Sequence, residues 1–187
     1  MLLPRAELIT SDPLVSWMSA VSRFIADAAL IGMVGALVLC LVLPNHDGVL
    51  TSLQRRWLAR ARNASVALWL ATVLIALATT AEVMGSSLAQ TLGQPEYLAS
   101  LLTQTTLGKS LALQVVVGAL LAAVVVLPRT PMAVLLLLLG PICIIVARAS
   151  TGHSGNSDWH MAAVEAWSLH IIAVTTWVGS VAAAAWH

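Results

Sequence analysis

The residues with the clearest capacity for chemistry are histidines in the last third of the sequence. His153 and His160 lie in the polar stretch 151–160, and His170 follows ten residues later in an apolar segment. Imidazole is the commonest side-chain ligand for transition metals. A lone histidine is more often a hydrogen-bonded polar group, so the three residues define a candidate metal site.

Methionines extend this set with thioether sulfur, a donor that favours Cu(I). Three of them are predicted at the level of the histidines, at the ends of the first, second and fifth apolar segments: Met18, Met84 and Met161. A cluster of histidine and methionine there would bind a soft monovalent copper ion. Each methionine taken singly is more often packing filler, and both interpretations stay open.

Ionisable residues inside apolar segments form a second set of candidates. A charged side chain at lipid depth costs free energy, so its presence there indicates a functional role. They are Arg23, Asp27, Glu82, Lys109, Glu165 and His170. Asp27 and His170 each lie about ten residues into a segment, roughly 15 Å deep, which makes Asp27 a further candidate ligand. The alternative, which we favour, is that Asp27 has a structural role and forms an ion pair with Arg23 at i,i+4 spacing.

The composition indicates which elements position these residues. The chain has 187 residues, of which 59% are apolar and 9% charged, a formal net charge of +1 and a mean hydropathy of +0.92. A soluble domain carries roughly a quarter charged residues. The composition therefore argues against a soluble enzyme, a secreted domain or a nucleic-acid-binding protein, and it predicts a polytopic membrane protein.

Five segments are long enough to cross the lipid bilayer, which takes about 20 apolar residues. They run over about 17–43, 64–84, 102–127, 131–149 and 160–187. Helices are expected because every backbone polar group must be paired inside lipid. The predicted fold class is an all-α bundle of five transmembrane helices, forming a single membrane-embedded domain over 1–187.

Two local features predict how these helices pack. Ala28, Gly32 and Ala36 form a stripe of small residues at four-residue spacing, which lets another helix approach closely. Pro141 removes one helical hydrogen bond and predicts a kink in the fourth span.

Arginines set the predicted orientation of the bundle. Five of them lie in the first and third connections between spans: Arg55, Arg56, Arg60, Arg62 and Arg129. Residues 85–106 contain no Lys or Arg. The positive-inside rule then places the first and third connections in the cytoplasm and the N-terminus outside. The stretch 151–160, with its two histidines, is extracytoplasmic in this orientation.

Several motifs resemble the CopD (copper resistance protein D) family. In the C-terminal third they are Thr151-Gly152-His153, Leu169-His170 and Trp177-Val178-Gly179. They match a Gly-His pair that precedes a helix carrying Leu-His and Trp-Val-Gly in that family. The first and third segments add weaker similarity through Arg23, Gly32, Gly35 and Leu107-Gly108-Lys109. Gln114 stands where the resemblance leads us to expect a basic residue.

The resemblance implies copper handling at a bacterial inner membrane, by uptake from the extracytoplasmic side, by resistance or by delivery to cytochrome oxidase assembly. It implies His153 and His170 as copper ligands. It also implies a periplasmic copper chaperone or a cytochrome oxidase assembly factor as partner. Members of this family occur fused to a CtaG-like assembly domain, notably in actinobacteria. Relatives continue with further spans, so the chain is expected to be C-terminally incomplete.

The leading hypothesis is a copper transport or transfer protein that is not an enzyme. Cu(I) would be captured by His153, His160 and the nearby methionines, and would pass to His170, with Asp27 or Cys143 as a deeper station. One alternative is a haem-binding electron-transfer subunit, which needs a second deep histidine. Another is a structural or assembly protein without metal. The sequence contains no nucleophile motif, phosphate loop or HExxH helix.

Overall fold

The computed structural model describes residues 12–45, 47–151 and 160–185, and this part of the chain is folded into helices. In chain order they are α1 (Pro13–Val42), α2 (Ser52–Met84), α3 (Leu88–Gly93), α4 (Pro95–Gln104), α5 (Thr106–Val124), α6 (Pro131–Leu137), α7 (Leu139–Ala149) and α8 (His160–Ala185).

Five helical stretches of the described chain are long and apolar enough to cross a membrane. They are Pro13–Val42, Ser52–Met84, Thr106–Val124, Pro131–Ala149 and Met161–Ala185. The predicted all-α fold with five spans is confirmed, whereas the orientation of the N-terminus stays a prediction. The second helix begins at Ser52, well before the predicted start at residue 64, because a helix continues through polar turns that a hydropathy pattern leaves out.

A capping box explains the early start of α2. The Thr51 hydroxyl accepts a hydrogen bond from the Gln54 amide (3.3 Å), and the Gln54 side chain accepts one from the Thr51 amide (2.8 Å). The fully buried Gln54 also donates from Nε2 to the carbonyls of Cys40 (2.8 Å) and Leu43 (3.0 Å). One side chain therefore caps the start of α2 and satisfies carbonyls at the end of α1.

Replacing Thr51 by alanine is expected to lower the free energy of unfolding by about 1 kcal/mol, since α2 loses the side chain that caps it. The measurement is thermal unfolding in neutral detergent, followed by far-UV circular dichroism. The matched control is Ser87→Ala, which removes the same type of cap from the exposed six-residue helix α3. Equal losses in the two variants would contradict a special role for the α2 cap.

The third predicted span, over 102–127, is wrong at its start. The helix is interrupted at Thr105. The Thr105 hydroxyl accepts a hydrogen bond from the Gly108 amide (2.8 Å) and so caps α5. A Cβ at Gly108 would lie 1.8 Å from the Leu101 carbonyl oxygen. The apolar run therefore contains a tight helix–helix turn that only glycine permits, and the residues before it belong to α4.

The fourth span is interrupted near the predicted kink. The first helical piece, α6, ends at Leu137, and α7 begins at Leu139. Pro141 lacks the N–H that would donate to the Leu137 carbonyl four residues earlier, and its ring crowds that carbonyl. The interruption therefore falls one turn before the proline, in the region where the sequence predicts a kink.

The bundle is built around α1, which packs against α2, α6 and α8, while α5 packs against α2, α4 and α7. The Leu50 amide donates to the Arg129 carbonyl (3.0 Å), so the α1–α2 and α5–α6 connections share one end of the bundle. We call it the arginine-rich end. The opposite end, where α2 and α7 finish and α5 and α8 begin, is called the distal end.

Two glycines, Gly35 and Gly179, make a close backbone contact between α1 and α8. A Cβ at Gly35 would lie 2.1 Å from the carbonyl oxygen of Gly179, whereas no described atom lies within 4 Å of a Cβ at Gly32. The predicted close helix approach is therefore present on α1, but it is centred on Gly35 rather than on the stripe that contains Gly32. The contact brings together the halves of α1 and α8 that lie toward the arginine-rich end, and it sets how the two helices cross.

Candidate functional site

An ion pair between two helices lies at the centre of the candidate site. Arg148, in the last turn of α7, donates from Nη1 to Oδ1 of Asp27 on α1 at 2.5 Å. The favoured prediction, that Asp27 pairs with Arg23, is therefore wrong. The Arg148 side chain is only 21% exposed, and a guanidinium with so little contact with solvent needs a counter-charge more than an exposed one does.

A chain of hydrogen bonds holds the Arg148 guanidinium in place. Its Nε donates to Gln114 Oε1 (2.8 Å), and Gln114 Nε2 donates to the Ser110 hydroxyl (3.2 Å). That hydroxyl donates in turn to the carbonyl of Ala147 (2.6 Å). Gln114 and Ser110 are buried, so the chain satisfies polar groups that would otherwise be costly. A basic residue in place of Gln114 would repel Arg148 instead of accepting its hydrogen bond.

One cavity beside this ion pair contains the predicted deep histidine. We call it the histidine cavity. It has a volume of about 320 Å³ and is lined by Asp27, Arg148, Trp167, His170 and Thr175, together with apolar residues of α1 and α8. Asp27 and His170, which are predicted at similar depth, both border this one cavity, and their sharing of a ligand stays a prediction.

The ring of His170 is oriented by an aromatic neighbour. It stacks on Trp167 with a centroid separation of 5.5 Å and an interplanar angle of 18°. Within the part of the chain that the structure describes, neither ring nitrogen of His170 has a hydrogen-bond partner. The imidazole of the exposed His170 therefore has an aromatic neighbour on its own helix and no hydrogen-bond partner among the described residues.

A second cavity lies on the other side of the ion pair. We call it the arginine cavity. It also has a volume of about 320 Å³, and the polar residues that line it are Arg23, Asp27, Thr79, Gln114, Arg148 and Thr151. Because Asp27 and Arg148 border both cavities, their ion pair forms a common wall.

The other predicted ligands are only partly described. His153 and the side chain of His160 lie outside the described residues. Met18 packs against the buried cluster of Val15, Ala78 and Ala81. Met84 and Met161 are 41% and 68% exposed. The ligand set predicted from the sequence therefore stays a prediction.

The described residues do not by themselves form a metal centre. No group of three His, Cys, Asp or Glu side chains among them is placed to hold a metal ion. Among the described residues that line the histidine cavity, Asp27 supplies the one carboxylate, and it already neutralises a guanidinium. A copper ion at His170 would need further ligands, either methionine sulfur or residues outside the described part of the chain.

Sequence reasoning missed Arg148 and Gln114 as site residues. Arg148 lies at the end of an apolar segment and meets the same criterion of a charge at lipid depth that selected Asp27. Gln114 carries no charge, and its importance follows only from the helix that faces it.

The fold and the site together define a multi-pass helical membrane protein with an ion-paired polar network inside its bundle. The family model of the copper resistance protein D-like N-terminal domain matches residues 12–162. The chain belongs to this family, as the sequence motifs predicted. The motifs around His170 and Gly179 lie beyond the matched range. Neither a curated protein nor a solved structure matches the chain significantly.

Proposed function

We propose that this copper resistance-related membrane protein receives copper at the distal end of its bundle and passes it to His170. In the orientation predicted from the arginines, that end faces the extracytoplasmic side of a bacterial inner membrane. Copper is the transported ion in this proposal, and no catalytic step is assigned to the chain. Delivery of the copper by a periplasmic chaperone, or its transfer to a cytochrome oxidase assembly factor, stays a prediction.

The observation that carries the proposal is the environment of the His170 ring. Its ring is stacked on Trp167 and borders a cavity, and its nitrogens have no partner among the described residues. A neutral imidazole nitrogen is a good ligand for copper. Stacking on Trp167 uses neither ring nitrogen, so in this proposal the exposed imidazole binds copper without breaking a hydrogen bond to a described residue.

The remaining ligands are proposed from the sequence. His153 and His160 precede His170 along the chain and lie in or next to the connection that enters α8. Met18, Met84 and Met161 would supply sulfur at the same end of the bundle. Asp27 has one carboxylate oxygen bound to Arg148, so it would contribute at most its other oxygen and mainly keep the cavity close to neutral.

Replacing His170 by alanine is expected to weaken Cu(I) binding by about tenfold or more, which corresponds to about 1.4 kcal/mol of binding free energy. The measurement is a competition titration of the purified protein against a chromophoric Cu(I) chelator. The matched control is His46→Ala, because His46 lies in the connection between α1 and α2. That variant is expected to keep the wild-type affinity.

Two further results decide against the proposal. Equal Cu(I) affinities of the wild type and the His153→Ala/His170→Ala double variant would reject the site. An optical spectrum of the purified protein with a Soret band that disappears in His170→Ala would instead support the haem-binding alternative.

A further inference from the structure

The arginine cavity holds more positive than negative charge. Two guanidinium groups, those of Arg23 and Arg148, line it together with the single carboxylate of Asp27. No other acidic side chain among the described residues lines this cavity. Arg148 is only 21% exposed, whereas Arg23 is exposed. The effective dielectric constant beside the poorly solvated Arg148 guanidinium is lower than that of bulk water, so an anion placed there is attracted more strongly than it would be in water.

The Asp27 carboxylate is already bound to Arg148, which leaves Arg23 without a counter-charge among the residues that the structure describes. Asp27 Oδ1 accepts the hydrogen bond from Arg148 Nη1. Arg23 forms no ion pair with any residue that the structure describes, although its charge acts on the Arg148 guanidinium. The two arginines repel each other across the cavity, and an anion between them would relieve that repulsion.

Hydrogen-bond donors for such an anion border the same space. Arg148 uses Nε and Nη1 for Gln114 and Asp27, so its Nη2 has no hydrogen-bond partner among the described residues. The buried Thr79 hydroxyl lines the cavity as well. Hydrogen bonds from charged donors are roughly twice as strong as neutral ones, and Arg23 and Arg148 supply donors of this kind.

We propose that the arginine cavity is a binding site for a small monovalent anion, held between Arg23 and Arg148. A volume of about 320 Å³ accommodates a small anion together with several waters. The excess of one positive charge favours a single negative charge. The shared chemistry is that of an anion, supplied either by a soluble ion such as chloride or by the phosphate group of an anionic lipid. The site shares the Asp27–Arg148 ion pair with the histidine cavity as a common wall, and the proposal does not require copper binding at His170.

The test measures thermal unfolding of the full chain in neutral detergent, with sodium chloride exchanged for sodium gluconate at constant ionic strength. An anion that binds only the folded protein raises the melting temperature. We expect chloride at about ten times its dissociation constant to stabilise the wild type by about 1.4 kcal/mol and to raise its melting temperature by about 3–6 °C. The rise is expected to disappear in Arg23→Gln.

Two variants serve as controls for this loss. Arg62→Gln removes the same charge from an exposed arginine of α2 near the arginine-rich end, and it is expected to keep the full rise. Arg23→Lys keeps the positive charge, and it is expected to keep most of the rise, which separates loss of binding from loss of folding.

A second arm identifies the source of the anion. The three variants and the wild type are reconstituted in nanodiscs of phosphatidylcholine, with or without phosphatidylglycerol. Stabilisation by phosphatidylglycerol alone, present in Arg62→Gln and absent in Arg23→Gln, would assign the anion to a lipid phosphate. Absence of stabilisation by either anion, or equal stabilisation of Arg23→Gln and the wild type, would overturn the proposal.

Discussion

Replacing Gly35 by alanine is expected to force α1 away from α8 and to lower the free energy of unfolding by about 3 kcal/mol or more. The new Cβ would lie 2.1 Å from the carbonyl oxygen and 2.3 Å from the carbonyl carbon of Gly179. Both are backbone atoms, so a change of side-chain rotamer cannot relieve the overlap. Close backbone packing is a principal source of attraction between helices in lipid, and separating the helices removes it.

The matched control for this change is Gly32→Ala. Gly32 lies on the same helix, and no described atom lies within 4 Å of the position that its Cβ would take. Unfolding of both variants by heat or by titration with SDS, followed by circular dichroism, is the measurement. A similar loss of stability in the two variants would contradict the close contact between α1 and α8. Gly179→Ala tests the same contact from the other side.

Replacing Asp27 by asparagine is expected to lower the free energy of unfolding by about 3 kcal/mol, at the low end of the range for breaking a buried ion pair from one side. The change leaves the guanidinium of Arg148 without its counter-charge, and that side chain is only 21% exposed. We place the value at the low end because the Asp27 side chain is itself 66% exposed. Removing both charges, in Asp27→Asn/Arg148→Gln, is expected to cost less than the two single changes added together.

Two variants test this assignment of the ion pair. Glu82→Gln neutralises an exposed carboxylate near the end of α2 that forms no ion pair with a described residue, and it is expected to change stability by less than about 0.5 kcal/mol. In gluconate, where no chloride is bound, Arg23→Gln is expected to be similarly mild, because Arg23 is not the partner of Asp27. Destabilisation by Arg23→Gln as large as that by Asp27→Asn would restore the pairing of Asp27 with Arg23.

The number of membrane spans and their approximate positions were predictable from the sequence, because the cost of placing a residue in lipid depends mainly on that residue and its near neighbours. The breaks at Thr105 and Leu138 were harder to locate. Thr105 lies just inside a stretch whose average apolarity predicted one continuous span, and its break depends on a backbone approach at Gly108. The interruption of the fourth span at Leu138 was indicated by Pro141, but it lies about one helical turn before the proline.

Part of the candidate site was also predictable. A carboxylate and an imidazole at similar depth identified Asp27 and His170, which both border the histidine cavity. The family was predictable as well, from short motifs at characteristic positions, and the family model confirms it over residues 12–162.

Which side chains contact one another could be identified only from the packed bundle. Asp27 had a nearby arginine at i,i+4 spacing, yet it pairs with one 121 residues away in the chain, because α7 brings a poorly solvated guanidinium to α1. Gly35 looked no more important than Gly32 until the backbone of Gly179 was placed against it. The local pattern of apolar and charged residues thus dictates where helices form and cross the membrane. Which side chains meet depends on how those helices are arranged, a property that no segment carries alone.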